Sequence, residues 1–277
     1  MDQSTKPSSL AVWAGLGTIY LVWGSTYLGI AVAVESMPPF LMASARFLVA
    51  GLLLAVWVVL RHRSAIRRLT RTELRDALIV GALLAGVGNG FVSWGELSVP
   101  SGITALMVAL MPAWLAVIGR VWLGDRLPIA VVAGIGIGLA GVAFLSWPAG
   151  GPSGSLAPAG RAAVQAAPVG WSLGSAYAAR RARLPSPPML STALQMLLGG
   201  LVLAVFGAVS GEFATLEPAA FTGASWLALA YLTLIGSLLA WTVYAWLLRV
   251  APLSKISTYA YVNPVVAVVL GTVVLNE

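Results

Sequence analysis

The sequence predicts an all-α integral membrane protein made of two inverted five-helix repeats, a ten-helix fold with nine helices inside this chain. Three observations lead there. Of 277 residues, 59% are hydrophobic and 9% charged, with a mean hydropathy of +0.92, whereas soluble domains carry about 25% charge. Apolar runs of the roughly 20 residues that span a bilayer recur along the chain. The chain also repeats itself: Trp94, Pro100, Pro112, Gly119 and Asp125 return 152 residues later as Trp246, Pro252, Pro264, Gly271 and Glu277, with no insertion.

The apolar runs, in order, are 7–34, 36–60 (interrupted only by Arg46), 77–95, 97–119, 127–160, 162–179, 184–211, 218–248 and 256–276. Pro and Gly joints separate several of them, including Pro38-Pro39, Pro187-Pro188 and WPAGGPSG near 147–154. Orientation follows from Lys and Arg, which are enriched in cytoplasmic loops. With the N-terminus inside, the inner side carries Lys6, Arg61, Arg63, Arg67, Arg68, Arg71, Arg75, Arg120, Arg126, Arg180, Arg181, Arg183, Arg249 and Lys255, leaving only Arg46 and Arg161 of the 16 basic residues. The outer joints hold Glu35, Glu96, Glu212 and Glu217. The expected topology is multi-pass with a cytoplasmic N-terminus.

Ala31-Val32-Ala33 faintly resembles a signal-peptide cleavage site. The repeat argues that the first helix is retained. Gly24-Ser25-Thr26-Tyr27 recurs as Gly174-Ser175-Ala176-Tyr177, each after a Trp, Trp23 and Trp171. Pro38-Pro39 pairs with Pro187-Pro188, placing Arg46 opposite Gln195 and Gly51 opposite Gly200. The first repeat is thus 7–147, with five helices, and the second 156–277, with four. Five is odd, so the second copy enters from the opposite face, an arrangement found in secondary transporters with a site at the repeat interface. A fifth helix of the second copy would fall past Glu277, so the chain is expected to be a fragment.

WGSTYLGIAVAVESMPPFLMASARFLVAGLLL and AYVNPVVAVVLGTVVLNE resemble the EamA domains of the drug/metabolite transporter superfamily. GNGFVSWGELSVPSGITAL with the YVNP segment resembles its YedA-type branch. The resemblance implies a ten-helix inner-membrane fold and export or exchange of amino acids or similar small metabolites by alternating access. One stretch departs from the family pattern: LAPAGRAAVQAAPVGW carries Arg161, Gln165 and Pro168 where an apolar run is usual. Proline at 168 is expected to break or kink that helix unless its freed carbonyl finds a partner.

Arg46 is the one charge well inside a span, about 10 Å along its helix from Pro39 at 1.5 Å per residue. Such a charge faces a partner or an aqueous cavity. Two readings stand: a fixed cation for a carboxylate substrate, or a clamp onto Glu35, Glu96 or helix-end carbonyls. The other candidate substrate residues are Trp23, Ser25, Tyr27, Asn89, Trp94, Trp171, Ser175, Gln195, Tyr244, Tyr259 and Asn263, each competing with a packing role. Pro112 and Pro264, mid-span, are candidate gating kinks because each frees a helix carbonyl. Trp241 and Tyr261 join the aromatics near the repeat motifs, which as a set suit an apolar or aromatic moiety.

The absence of cysteine excludes disulfides and thiolate metal sites, and the single histidine, His62, lies among arginines. No buried acid pair is found in a span, so no enzyme constellation, metal or cofactor is expected. The function expected is a secondary transporter. The alternative is a non-transporting scaffold or inactive transporter remnant. Expected partners are a small-molecule substrate and the lipid bilayer, with a homodimer as a candidate assembly and no nucleic acid.

Overall fold

A computed structural model of the chain describes residues 8–62, 68–124, 129–146, 158–251, 253–256 and 258–276. Asp125, Arg126, Pro252, Glu277 and the WPAGGPSG joint lie outside the described residues. Within them the chain is helical, with no strand. Helix α1 is Ser9–Val34, opened by Ser8, whose side chain accepts from the Ala11 N–H. Helix α2 is Pro39–Arg61, and its first-turn proline suits a position whose N–H has no helical partner.

Helix α3 begins at Arg71 under a capping box of Thr70 and Glu73. It runs from Arg71–Gly81 through a π-helical stretch, Ala82–Asn89, into Gly90–Gly95. Helix α4 is two pieces, Ser101–Val108 and Met111–Leu123, ended by the left-handed Gly124. Helix α5 is Ile129–Ser146, α6 is Pro158–Arg180 and α7 is Pro188–Val209. Helix α8 runs Gly223–Tyr231, through a second π-helical stretch at Leu232–Leu239, into Ala240–Val250. After a short helix at Leu253–Ile256, α9 is Tyr259–Leu275.

Among the described residues, six helices are long and apolar enough to cross a membrane: α1, α2, α3, α4, α7 and the Gly223–Tyr244 part of α8, with Tyr259–Leu275 a shorter apolar helix. Large apolar side chains face outward along them, such as Leu52, Val56, Val205 and Leu227. In lipid this is expected, because every backbone polar group is satisfied inside a helix and the surroundings are as apolar as the side chains.

Two findings revise the sequence expectation. Pro168 does not break α6; the helix continues through it from Pro158 to Arg180. The two mid-span prolines do not behave alike. Pro112 lies in the first turn after a break at Ala109–Leu110, whereas Pro264 lies inside the continuous α9. A proline in a first turn costs no hydrogen bond, and one further inside leaves a carbonyl free.

The helices pack in a pattern that survives exchange of partners. Helix α2 lies against α7, and α4 against α9. Helix α1 meets α8 and α9 as α6 meets α3 and α4, and α3 meets α7 as α8 meets α2. A Cβ on Gly51 would lie 2.9 Å from the Leu197 side chain, and one on Gly200 would lie 2.9 Å from that of Leu48. Both offsets, 51 to 200 and 48 to 197, are 149 residues. The contact is therefore reciprocal, as at a two-fold interface.

Candidate functional site

Between these helices lies a cavity of about 100 Å³. Its walls come from α1 (Trp23, Thr26, Tyr27), α2 (Arg46), the wide turn of α3 (Gly88, Asn89), α6 (Pro168, Trp171), α8 (Trp241) and α9 (Tyr259, Asn263). A smaller void of about 30 Å³ adjoins it, sharing Tyr27, Val108, Met111, Tyr259 and Asn263.

Arg46 supplies the charge. It is 3% exposed, its Nε donates to Ser237 Oγ at 2.8 Å, and its guanidinium carbon sits 5.0 Å from the Phe47 ring centroid. Ser237 comes from the π-helical stretch of α8. Of the two readings of Arg46, the clamp onto Glu35 is not formed; Glu35 is exposed and the bond goes to a neutral hydroxyl.

Both wide turns meet side chains at the cavity. A π-helical turn widens the helix and displaces carbonyls from ordinary ladder geometry. Trp23 Nε1 donates to the Gly236 carbonyl at 3.2 Å, and Asn89 Nδ2 to the Leu84 carbonyl at 3.1 Å. Asn263, with its amide in the orientation its neighbours dictate, donates to the Tyr259 and Tyr20 carbonyls at 3.1 and 3.2 Å. The aromatic wall is continuous: Trp23 contacts Trp241 at 6.5 Å and Tyr259 at 5.0 Å, and Trp171 contacts Trp241 at 6.2 Å. Edge-on rings at such separations hold one another in place.

Of the residues expected from sequence, the structure brings Arg46, Trp23, Tyr27, Asn89, Trp171, Tyr259 and Asn263 to the cavity. It does not bring the other five. Ser25 bonds back to the Leu21 and Val22 carbonyls and to Tyr231. Tyr244 packs against Trp23 with tilted rings, centroids 5.2 Å apart, and is not among the residues lining the void. Trp94 packs on the cluster around Phe40 and Phe47. Gln195 donates to Ser191 on its own helix, and Ser175 is half-buried on α6 away from the void. Tyr261 faces outward, 67% exposed. The expected gating residues divide as well: Pro264 lines the smaller void and Pro112 lines neither.

The sequence reading missed Ser237, Thr26 and Pro168. Ser237 had no signal, since its partner lies 191 residues away. Pro168 had one: a proline retained in a buried helix beside the repeated Trp171 marks a wall where backbone polarity is tolerated.

A multi-pass helical membrane protein with a charged, aromatic-walled void at its centre is thereby defined. Residues 11–147 and 160–277 each match the EamA-like transporter family, and the chain belongs to that family. It is 39% identical over 265 residues to the uncharacterized inner membrane transporter YedA of Escherichia coli (strain K12), covering 95% of this chain and 82% of that one. It is 27% identical over 264 residues to the uncharacterized transporter YvbV of Bacillus subtilis (strain 168), covering 95% and 83%. Over 138 residues, half of this chain and 45% of the other, it is 29% identical to a probable terminal-alkyne amino-acid exporter of Streptantibioticus cattleyicolor. A solved crystal structure aligns with a TM-score of 0.66 at 24% identity, covering 98% of this chain and 90% of that one, and so shares the fold.

Proposed function

We propose that this protein is a secondary transporter that exports or exchanges amino acids or similar small metabolites across a bacterial inner membrane by alternating access. The observation that carries the reading is the cavity shared between the halves. The residues before 147 contribute Arg46 and Asn89, and those after 156 contribute Trp171, Trp241 and Tyr259. A site at the join of two copies is exposed to either face when the copies rock against each other. The reciprocal contact of Gly51 and Gly200 supports an inverted pair of repeats at 7–147 and 156–277 pivoting near α2 and α7. The distribution of Lys and Arg supports a cytoplasmic N-terminus. The family and the relatives' descriptions as transporters, one an amino-acid exporter, support the substrate range. The two wide turns and Pro264 supply places where a helix can bend.

The test is flux in proteoliposomes preloaded with unlabelled amino acids. Saturable counterflow of a labelled one is expected, and Met111→Trp, which fills the void, is expected to abolish it while the protein remains monodisperse. Flux equal to empty vesicles across the amino acids and their small derivatives rejects the reading.

A further inference from the structure

We propose that the ends of α4 and α6, at the arginine-bearing side of the bundle, form a seat for the headgroup of one anionic phospholipid, with Arg181 as its ligand and Trp122 beneath it.

Arg181 is held before any ligand arrives. Its N–H donates to the Tyr177 carbonyl at 2.9 Å, so the two residues lie one turn apart and share a face at the end of α6. Both meet Trp122, near the end of α4. The Tyr177 ring lies nearly parallel to the indole, with planes 10° apart and centroids 6.3 Å apart. The Arg181 guanidinium carbon sits 5.9 Å from the Trp122 ring centroid. Tyr177 is fixed in turn, because its hydroxyl donates to the buried Asp76 carboxylate at 2.8 Å. A guanidinium stacked on an aromatic face loses less freedom when it binds. Its edge keeps the fork of N–H groups that matches phosphate oxygens.

Charge at this place is one-sided. Residues 111–124 and 171–184 hold Arg120, Arg180, Arg181 and Arg183 and no acid, and Asp125 and Arg126, next in sequence, cancel. The Asp76 carboxylate accepts from Arg75, Tyr177 and the Arg183 N–H, so its charge is already answered.

The surroundings fit a lipid better than a free anion. Trp122 is 43% exposed, and Val121 beside it is 81% exposed. Trp and Tyr gather where headgroups meet acyl chains. An acyl chain has apolar surface to cover at Val121, which a free phosphate does not use.

Packing alone does not require this arrangement. Both halves match one family, and the equivalents of Tyr177, Arg181 and Trp122 in the other copy are Tyr27, Ala31 and Val274, at the 150- and 152-residue offsets of the repeat. None of these carries a charge. Arginines that only set topology act through charge and need no ring beneath them.

The experiment is native mass spectrometry of the purified, detergent-solubilised full chain titrated with phosphatidylglycerol or phosphatidylcholine. The first phosphatidylglycerol is expected to bind more tightly than the first phosphatidylcholine. Arg181→Gln is expected to weaken phosphatidylglycerol about fivefold, the contribution of one arginine beside an anionic surface. Trp122→Leu, which keeps every charge, is expected to weaken it as well. Arg61→Gln, which removes an equal charge at the end of α2, is expected to leave it unchanged. Excess inorganic phosphate is expected not to displace the lipid. Equal affinity for the two lipids, equal losses in Arg181→Gln and Arg61→Gln, wild-type affinity in Trp122→Leu, or displacement by phosphate each overturns the proposal. If Trp122→Leu lowers the melting temperature, the comparison of Arg181→Gln with Arg61→Gln decides alone, since both side chains are exposed.

Discussion

Arg46 Nε on α2 donates to Ser237 Oγ at 2.8 Å, in the widened turn of α8. The bond orients a buried cation without neutralising it. Ser237→Ala is expected to leave Arg46 charged and less held. Loss of a hydrogen bond to a charged group costs roughly 1.5–3 kcal/mol. A lower melting temperature in detergent checks this; an unchanged one would show that the guanidinium finds another acceptor nearby.

Gly199 and Gly81 bring α7 and α3 into contact at backbone distance. A Cβ on Gly199 would sit 2.6 Å from the Gly81 carbonyl oxygen and 2.7 Å from Ala85 Cβ. Backbone cannot swing aside as a side-chain tip does. Gly199→Ala is expected to destabilise by roughly 1–3 kcal/mol, the usual cost of overpacking. Thermal unfolding followed by circular dichroism measures it, and wild-type stability would mean that the helices separate freely.

Glu212, just beyond α7, accepts from the Phe40 and Leu41 N–H groups at 3.1 and 2.8 Å. It caps α2 from the turn after α7, because Pro38 at the N-cap offers no side-chain acceptor. Burial raises the Glu212 pKa, more than the two N–H groups lower it. A carboxyl whose folded value lies above its unfolded one contributes fully at pH below the unfolded value and loses that contribution as pH rises through the folded one. Wild type is therefore expected to gain stability relative to Glu212→Gln as pH falls from 8 toward 4.5. Melting curves of the pair at several pH values check the sign; a gain by the variant on acidification would reverse it.

Asp76 ties the start of α3 to the end of α6. Its carboxylate accepts from Tyr177 Oη at 2.8 Å, the Arg183 backbone N–H at 2.7 Å and Arg75 at 2.8 Å. Arg75 is mostly solvent-exposed and Asp76 is 1% exposed. Asp76→Ala leaves the Tyr177 hydroxyl and the Arg183 N–H without their acceptor, a loss of roughly 1–3 kcal/mol. Tyr177→Phe is expected to cost less, since Asp76 retains two donors. If hydrogen exchange near 180–184 is the same in wild type and Asp76→Ala, the loop is held by something else.

Much of this was legible before any coordinates. Long apolar runs between Arg-rich joints placed the helices, because a bilayer rewards only self-satisfied backbone. Arg46 stood out as the one charge within a span, and the Trp23 and Trp171 repeats pointed to walls of the void. The wide turns were not legible, since ALLAGVGN and LTLIGSLL read as ordinary apolar helix. Trp94 is a candidate substrate residue and Trp241 only one of the aromatics near the repeat motifs, yet of the two it is Trp241 that lines the cavity.

The sequence by itself determined the lipid solvent, the helical class and the place of Arg46 within a span. Those depend on composition and spacing, which are local. Only the tertiary structure decided that Arg46 meets Ser237 and that seven of the expected residues converge while Ser25, Trp94, Ser175, Gln195 and Tyr244 turn elsewhere. A helix that is apolar on nearly every side carries no stripe to say which face looks inward. That choice is made by the small residues that let particular helices approach, and it exists only once they have packed.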